Sequence, residues 1–251
     1  MPAREHSGTT AVVTGASRGF GRGIATALTG AGVQVARDRA RLDELGAQLG
    51  GSFTPVSADA ADPSVAGQLI DAYHPATVVL NAGASPLMRP LQHHTWETFS
   101  VNWHTDVRIA FHWLREALLQ PLRPGSRVVV ISSGAAVAGS PLSGGYADAK
   151  ATVRFITGYA QDEARRVGLG ITLTAVLPRI TPLTDLGRPA VRAYAARSGQ
   201  SEQEYLRQIG EPLTPEQAGQ AIADLVTGPD PDQDAYLLTG AGLRPPGPAS
   251  R

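Results

Sequence analysis

The run Thr10-Ala11-Val12-Val13-Thr14-Gly15-Ala16-Ser17-Arg18-Gly19-Phe20-Gly21 decides how the rest of this chain is read. Its first five residues are a short apolar run stopped by Gly15, the pattern of a buried strand. Gly23 to Leu28, rich in Ala and Leu, then reads as a helix. A strand that turns through glycines into a helix start gathers unpaired backbone N–H groups and the positive end of a helix dipole at one point. Glycine lets those groups close on a pyrophosphate. A Gly-rich stretch alone is a weak signal; the strand before it and the helix after it give it a structural context.

Outward from this turn, short apolar runs alternate with stretches of helical period. Val33 to Ala36 is a second strand run. Leu42, Leu45 and Leu49 mark one helix face, and Phe53 to Val56 is a third run broken by Pro55. A helix entered through Asp62-Pro63 carries Val65, Leu69, Ile70 and Tyr73. Thr77 to Leu80 is a fourth strand, Trp96 to Leu119 a long helix stopped by Pro121, and Arg127 to Ile131 a fifth strand. Tyr146 to Val167 is another long helix, ended by Gly168, and Ile171 to Leu177 a sixth strand. Thr214-Pro215-Glu216 opens a last helix, and Ala235 to Leu238 reads as an edge strand. Strands apolar on both faces and separated by helices predict an α/β fold: one Rossmann-type, doubly wound parallel sheet with helices on both faces. No linker divides the 251 residues. Such sheets bind at the carboxyl ends of their strands, which here fall after Thr14, Arg37, Ser57, Asn81, Ser132 and Leu177. The segment from Pro178 to Pro212 has no strong period and is expected to be a mobile lid over that edge. Its Leu183, Leu186, Val191, Tyr194, Leu206 and Ile209 suit a medium-sized, partly apolar small-molecule substrate.

Composition narrows the classes. The chain has 22 basic and 22 acidic side chains, so it offers no electrostatic reason to expect a nucleic acid or an anionic membrane as partner. It has no cysteine, which removes disulfides, thiolate metal sites and a cysteine nucleophile. No run approaches the roughly 18 apolar residues of a membrane span. Met1 to Gly8 lacks the apolar stretch of a signal peptide, so a soluble, cytoplasmic protein is expected. His93-His94, His104 and His112 have no carboxylate at ligand spacing, so no metal is expected and the pair reads as an exposed loop. Trp96, Trp103 and Trp113 read as core or subunit packing.

The glycines fall as Gly-x-x-x-Gly-x-Gly, at Gly15, Gly19 and Gly21. With Leu80-Asn81-Ala82-Gly83, Ser133, and Tyr146-Ala147-Asp148-Ala149-Lys150 in order, the chain from about Thr10 to Leu177 closely resembles the short-chain dehydrogenase/reductase family. The family's Asn-Asn-Ala-Gly has lost its first Asn here. The resemblance implies a nicotinamide dinucleotide held by Gly15, Ser17, Arg18, Gly19, Phe20 and Gly21. It adds Asp59 with Ala60 at the adenine, Asn81, Ala82 and Gly83, and Pro178, Ile180 and Thr181 near the nicotinamide. The Thr that touches the carboxamide is Thr181 or Thr184. Arg37, after the second strand, stands where a base selects NADP(H), because a guanidinium can pair with the 2′-phosphate; Arg18 would be a second base. NADP(H) is therefore expected before NAD(H). Between the glycine loop and Arg37 the chain is about three residues shorter than the family. Either the first helix is shorter or the second strand is clipped, and in the latter case Arg39 or Asp38 takes the place of Arg37.

Tyr146 and Lys150, four apart, share one helix face. A phenol is a weak acid, with a pKa of about 10. An ammonium about 4 Å away would assist its ionisation by about 4 kcal/mol before desolvation losses. That suits general acid/base work near neutral pH. Ser133, thirteen positions before Tyr146, can donate to a substrate oxygen; the spacing favours it over Ser132. By resemblance, Lys150 also holds the ribose hydroxyls, and Asn102 perturbs the long helix and holds a water in a proton relay to Lys150. The family assembles through its two long helices, so a homodimer or homotetramer is expected. Pro178-Arg179 departs from the family's Pro-Gly; Arg179 either points to solvent or meets a substrate acid. The implied activity is carbonyl reduction or alcohol oxidation. The alternatives are epimerisation, dehydration or a multi-step conversion with the same site, and a non-catalytic cofactor sensor.

Overall fold

Runs such as Val128-Val129-Val130 have no polar face, so a strand built from them must be covered on both sides. The computed structural model describes residues 10–28, 32–50, 53–119 and 122–246. The readings made at Met1 to Gly8 and at Pro121 lie outside the described residues. Seven strands run parallel: β1 (Ala11–Thr14), β2 (Gly32–Ala36), β3 (Phe53–Ser57), β4 (Thr77–Leu80), β5 (Arg127–Ile131), β6 (Thr172–Pro178) and β7 (Ala235–Thr239). An eighth, β8 (Gly242–Arg244), pairs antiparallel with β7. The order β3-β2-β1-β4-β5-β6-β7-β8 reverses direction between β1 and β4, which opens a crevice beyond their carboxyl ends.

Alternate strand residues enter opposite cores. On one face Val78 and Val128 meet α3 (Pro63–Tyr73), α5 (Arg108–Leu119) and α7 (Tyr146–Arg166), around the fully buried Trp113; one turn of helix, α6 (Ala135–Ala138), lies between β5 and α7. On the other, Val79 and Val129 meet α1 (Gly19–Ala27), α2 (Arg39–Leu49) and α10 (Pro215–Thr227). Asp62 caps α3 by accepting from Ser64 N, with Pro63 in the first turn. Thr214 caps α10 in a reciprocal bond set with Gln217.

Three expectations change. Pro55 does not break β3; as an edge strand, β3 needs no donor on its outer side, so the missing N–H is harmless. The stretch Trp96 to Leu119 is not one helix. It runs as α4 (Trp96–Phe99), a π-helical turn over Trp103–Val107, and α5. The segment 178–212 is not irregular: it carries α8 (Gly187–Arg197) and α9 (Glu202–Ile209), the latter closed by a Ser201–Glu204 capping box, with Tyr194 and Tyr205 stacked between them. At the adenosine end α1 has nine residues, and the five residues of β2 keep register with β1 from Ala11↔Gly32 to Thr14↔Val35.

The helix that opens at the crevice is fixed from behind by backbone contact. A Cβ on Gly23 of α1 would collide with Pro215 O, and one on Gly219 of α10 with Gly23 O. By contrast a Cβ on Gly158 of α7 meets nothing within 4 Å. Gly219→Ala is therefore expected to lower stability by about 3 kcal/mol, the upper range of overpacking costs. Gly158→Ala should be neutral or raise it by up to about 1 kcal/mol through helix propensity. Urea unfolding midpoints of the two variants check both.

Candidate active site

The carboxyl ends of β1 and β4 are tied by one hydroxyl. Thr14 is buried, and its Oγ1 accepts from Asn81 N (3.0 Å) and Ala82 N (3.1 Å). Gly15 sits at φ +69°, and a Cβ there would lie 2.8 Å from Ala82 Cα, so only glycine lets the two segments touch. Asn81 Nδ2 donates to Gly15 O at 3.3 Å. Arg18, at the start of α1, makes no side-chain cap, which leaves the first N–H groups of α1 to face the crevice. A glycine-tight loop with an uncapped helix start fits the diphosphate of a dinucleotide.

Next along the crevice lies the region after β2. Arg37 is exposed beside the cavity. Asp38 caps α2 by accepting from Arg41 N at 3.1 Å and lies 3.3 Å from the Arg41 guanidinium. Arg39 pairs with Asp43 at 2.8 Å and is not part of the cavity wall, whereas Arg41 is. Asp59 and Ala60 follow β3. Asp59 Oδ1 accepts from Ala61 N (3.0 Å), and Ala60 O from Trp113 Nε1 (3.0 Å), which pins this segment to the core.

α7 begins at Tyr146, and the residue before it, Gly145, packs against Phe99 O where a Cβ would not fit. One turn on, Lys150 is buried, with Nζ 5.8 Å from the Tyr146 ring centroid. Nζ donates to Ile131 O at 3.1 Å and lies 3.1 Å from Asp106 Oδ2. Asp106 is itself 3% exposed and belongs to the π-helical turn; its Oδ1 accepts from Ala84 N at 2.8 Å. Asn102 Nδ2 donates to Ala84 O at 2.7 Å, so the turn grips both sides of Ala84. Burial works against the Lys150 ammonium, but the Asp106 carboxylate, with help from Tyr146, more than offsets it and its pKa is raised. Its contribution to stability is therefore present below about 10.4, the ordinary lysine value, and is lost as pH rises through the higher folded value.

Ser132 is buried, and its Oγ donates to Lys150 O at 2.7 Å. Ser133 is only half-buried; its Oγ accepts from Ala135 N at 3.2 Å, which leaves its hydroxyl proton free for the cavity. Gly134 N donates to Pro178 O at 2.9 Å, holding the end of β6 against this wall. Thr181 is buried and accepts from Leu183 N; Thr184 accepts from Gly187 N and packs over Gly19. Tyr194 bonds Ser140 at 2.5 Å and stacks on Tyr205. Burial pushes the Tyr205 phenol up, Tyr194 adds to the rise, and Arg179 opposes it.

These walls enclose about 890 Å³. Of the site residues singled out in the sequence, Gly21 and Asn102, with the alternative Arg39, are not part of the wall, and the others line it. Gly21 packs under Gly15 O, and Asn102 holds Ala84. Sequence reasoning missed Asp106, Arg41 and Tyr205. A carboxylate four residues after Asn102 was the available signal for Asp106, and a base three residues past the Asp38 cap was that for Arg41. Among the described residues no group of three His, Cys, Asp or Glu could hold a metal, and no helix is long and apolar enough to cross a membrane. His94 is not an exposed loop residue: it is half-buried, with its ring nitrogens 3.2 Å from Thr98 Oγ1 and from Arg89 O. Trp96 is exposed, while Trp113 is core.

A family model described as short chain dehydrogenase matches residues 9–195. The hydroxynaphthalene reductase of Aspergillus fumigatus is 27% identical, over 96% of this chain and 92% of its own. A hydroxynaphthalene reductase-like protein of Metarhizium majus is 33% identical over 70% of this chain and 69% of its own. A solved structure from Beutenbergia cavernae, described as an NAD(P)-dependent gluconate 5-dehydrogenase with NADP bound at low occupancy, is 27% identical with a TM-score of 0.73. It covers 87% of this chain and 89% of its own.

The two neighbouring serines separate stability from chemistry. Ser132→Ala removes a buried donor from Lys150 O and should cost about 1–3 kcal/mol. Ser133→Ala removes a partly solvated acceptor and should cost no more than about 1 kcal/mol. Equilibrium urea unfolding of both variants measures the difference.

Proposed function

The chain belongs to the short-chain dehydrogenase family, and from that premise we propose that it is an NADP(H)-dependent carbonyl reductase or alcohol dehydrogenase for a medium-sized, partly apolar substrate. It is an NAD(P)-dependent oxidoreductase of the alcohol/carbonyl type. The observation that carries the finer reading is that Ser133, Tyr146 and Lys150 line the same cavity as the glycine loop, with Lys150 Nζ 5.8 Å from the Tyr146 ring centroid.

When bound, the nicotinamide supplies hydride to a carbonyl carbon or takes it from a carbinol carbon. The residues of this chain do the rest. Ser133 donates its free hydroxyl proton as a hydrogen bond to the substrate oxygen, where charge develops. Tyr146 delivers the proton to that oxygen in reduction and removes it in oxidation. Lys150 holds the ribose hydroxyls and keeps positive charge beside the phenol. Asn102 acts from behind the wall, through Ala84. The similarity to hydroxynaphthalene reductases and the cavity surface from Leu186, Tyr194, Tyr205, Ile209 and Leu237 support a partly apolar carbonyl compound.

Preference for NADP(H) rests on charge. Asp38, the acid at that end of the cavity, caps α2 and lies 3.3 Å from the Arg41 guanidinium, which offsets its charge. Arg18, Arg37 and Arg41 line that end of the cavity; Arg18 and Arg41 lie 3.6 and 4.0 Å from Asp185 there, so Arg37 is the base that best suits a 2′-phosphate. Phe111, Phe155 and Tyr159, all more than half exposed on α5 and α7, support self-association through those helices as a dimer or tetramer.

Tyr146→Phe is expected to lower reductive turnover by at least about 100-fold while NADPH binding stays measurable by fluorescence titration. Near-normal turnover in that variant would reject the role. Arg37→Ala should raise KM for NADPH by about tenfold or more, the worth of a charge-assisted bond, and leave KM for NADH unchanged. A lower KM for NADH than for NADPH in the unmodified protein would sink the cofactor preference.

A further inference from the structure

The mechanism above uses Lys150 but gives no part to the carboxylate beside it. Asp106 is the most deeply buried acid near the cavity, with a side chain 1% exposed against 7% for Lys150. Its two oxygens have different duties. Oδ1 is anchored by Ala84 N, so the carboxylate is fixed to the segment after β4 whether or not Lys150 is present. Oδ2 lies 3.1 Å from Nζ, an ion pair that helps to raise the Lys150 pKa, and Nζ also donates to Ile131 O at 3.1 Å.

We propose that Asp106 is a positioning residue that keeps the Tyr146–Lys150 pair fully protonated through neutral pH, the state needed to deliver a proton to a carbonyl oxygen, and thereby sets this site for reduction. The proposal rests on the assignment of Tyr146 as the proton donor. Reduction consumes one hydride at carbon and one proton at oxygen, so the site must start each cycle with that proton in place. An uncompensated, buried ammonium beside a phenol has two ways to fail. It can lose its own proton to escape burial, or it can draw the proton off the phenol. A fixed carboxylate next to Nζ opposes both. The ionisable groups that act on Lys150 are Asp106 from the π-helical turn and Tyr146 from its own helix. The charged group on the wall at the end of β6, Arg179, is exposed and acts on Tyr205. Asp106 thus stands as the counter-charge of the pair.

Asp106→Asn keeps the shape and removes the charge. Without cofactor, urea unfolding of the parent and the variant is compared from about pH 7 to about pH 9.5. In the variant the folded state sheds a proton that the unfolded state still holds, from either Lys150 or Tyr146. Its stability must then rise with pH relative to the parent, so the gap between the two narrows toward alkaline pH. A gap that does not change with pH overturns the proposal. If the variant is unfolded at neutral pH, the proposal requires it to be recovered at alkaline pH, and a variant unfolded throughout overturns it. With NADPH and a ketone, the alkaline limb of reductive kcat/KM should move down by about one to two pH units in Asp106→Asn and return in Asp106→Glu. A uniform rate loss with an unmoved limb also overturns it. If the gap narrows but no carbonyl compound is reduced, the charge role stands and the reading of the reaction falls.

Discussion

A buried ammonium and a buried carboxylate, 3.1 Å apart, hold the site together. At an effective dielectric of about 20 their attraction is worth about 5 kcal/mol. Removing each ion from water costs several kcal/mol, so the pair adds little net stability to the fold. It dictates placement. Neither charge can be left inside alone. So α7, which carries Lys150, the π-helical turn, which carries Asp106, and the end of β5, which supplies Ile131 O, must meet at one point. Ser132 adds a bond from β5's end to the backbone of Lys150. The wall of the cavity is thus assembled around the lysine before any cofactor enters.

The π-helical turn carries the acid of this pair. A regular helix from Trp96 to Leu119 would present Asn102 and Asp106 along one stripe with a fixed rise. The widened turn lets both side chains reach Ala84 from opposite sides of its peptide, Asn102 to the oxygen and Asp106 to the nitrogen. Ala84 follows the Asn81-Ala82-Gly83 segment that packs on the glycine loop. A continuous chain of contacts therefore runs from the glycine loop to α7.

Much of this was legible in the sequence because the signals were local. Val12-Val13 and Val128-Val129-Val130 announced strands buried on both faces, and Asp62-Pro63 and Thr214-Pro215 announced helix starts that formed as expected. Tyr146 and Lys150 needed only helical spacing to be placed together, and the glycine loop only its flanking elements. What was not legible depended on partners far along the chain. Pro55 looked like a break because nothing local says that β3 lies at an edge. Residues 178–212 looked irregular because α8 and α9 are short and are held by the Tyr194–Tyr205 stack and a capping box rather than by a long apolar stripe. Asp106 looked like one more charged helix residue, since a regular helical period does not show where a π-helical turn will aim it. Arg41 was hidden because its place beside the cavity depends on the cap that Asp38 makes.

The dependence of the site on the buried pair is tested most directly by a double-mutant cycle. Lys150→Met, Asp106→Asn and the double variant are unfolded in urea at neutral pH. The account predicts strong non-additivity: each single variant strands a buried charge or its partner and loses about 3–5 kcal/mol, while the double variant recovers at least about 2 kcal/mol of their sum. Additivity to within about 0.5 kcal/mol would mean that the two groups act independently, and would contradict it.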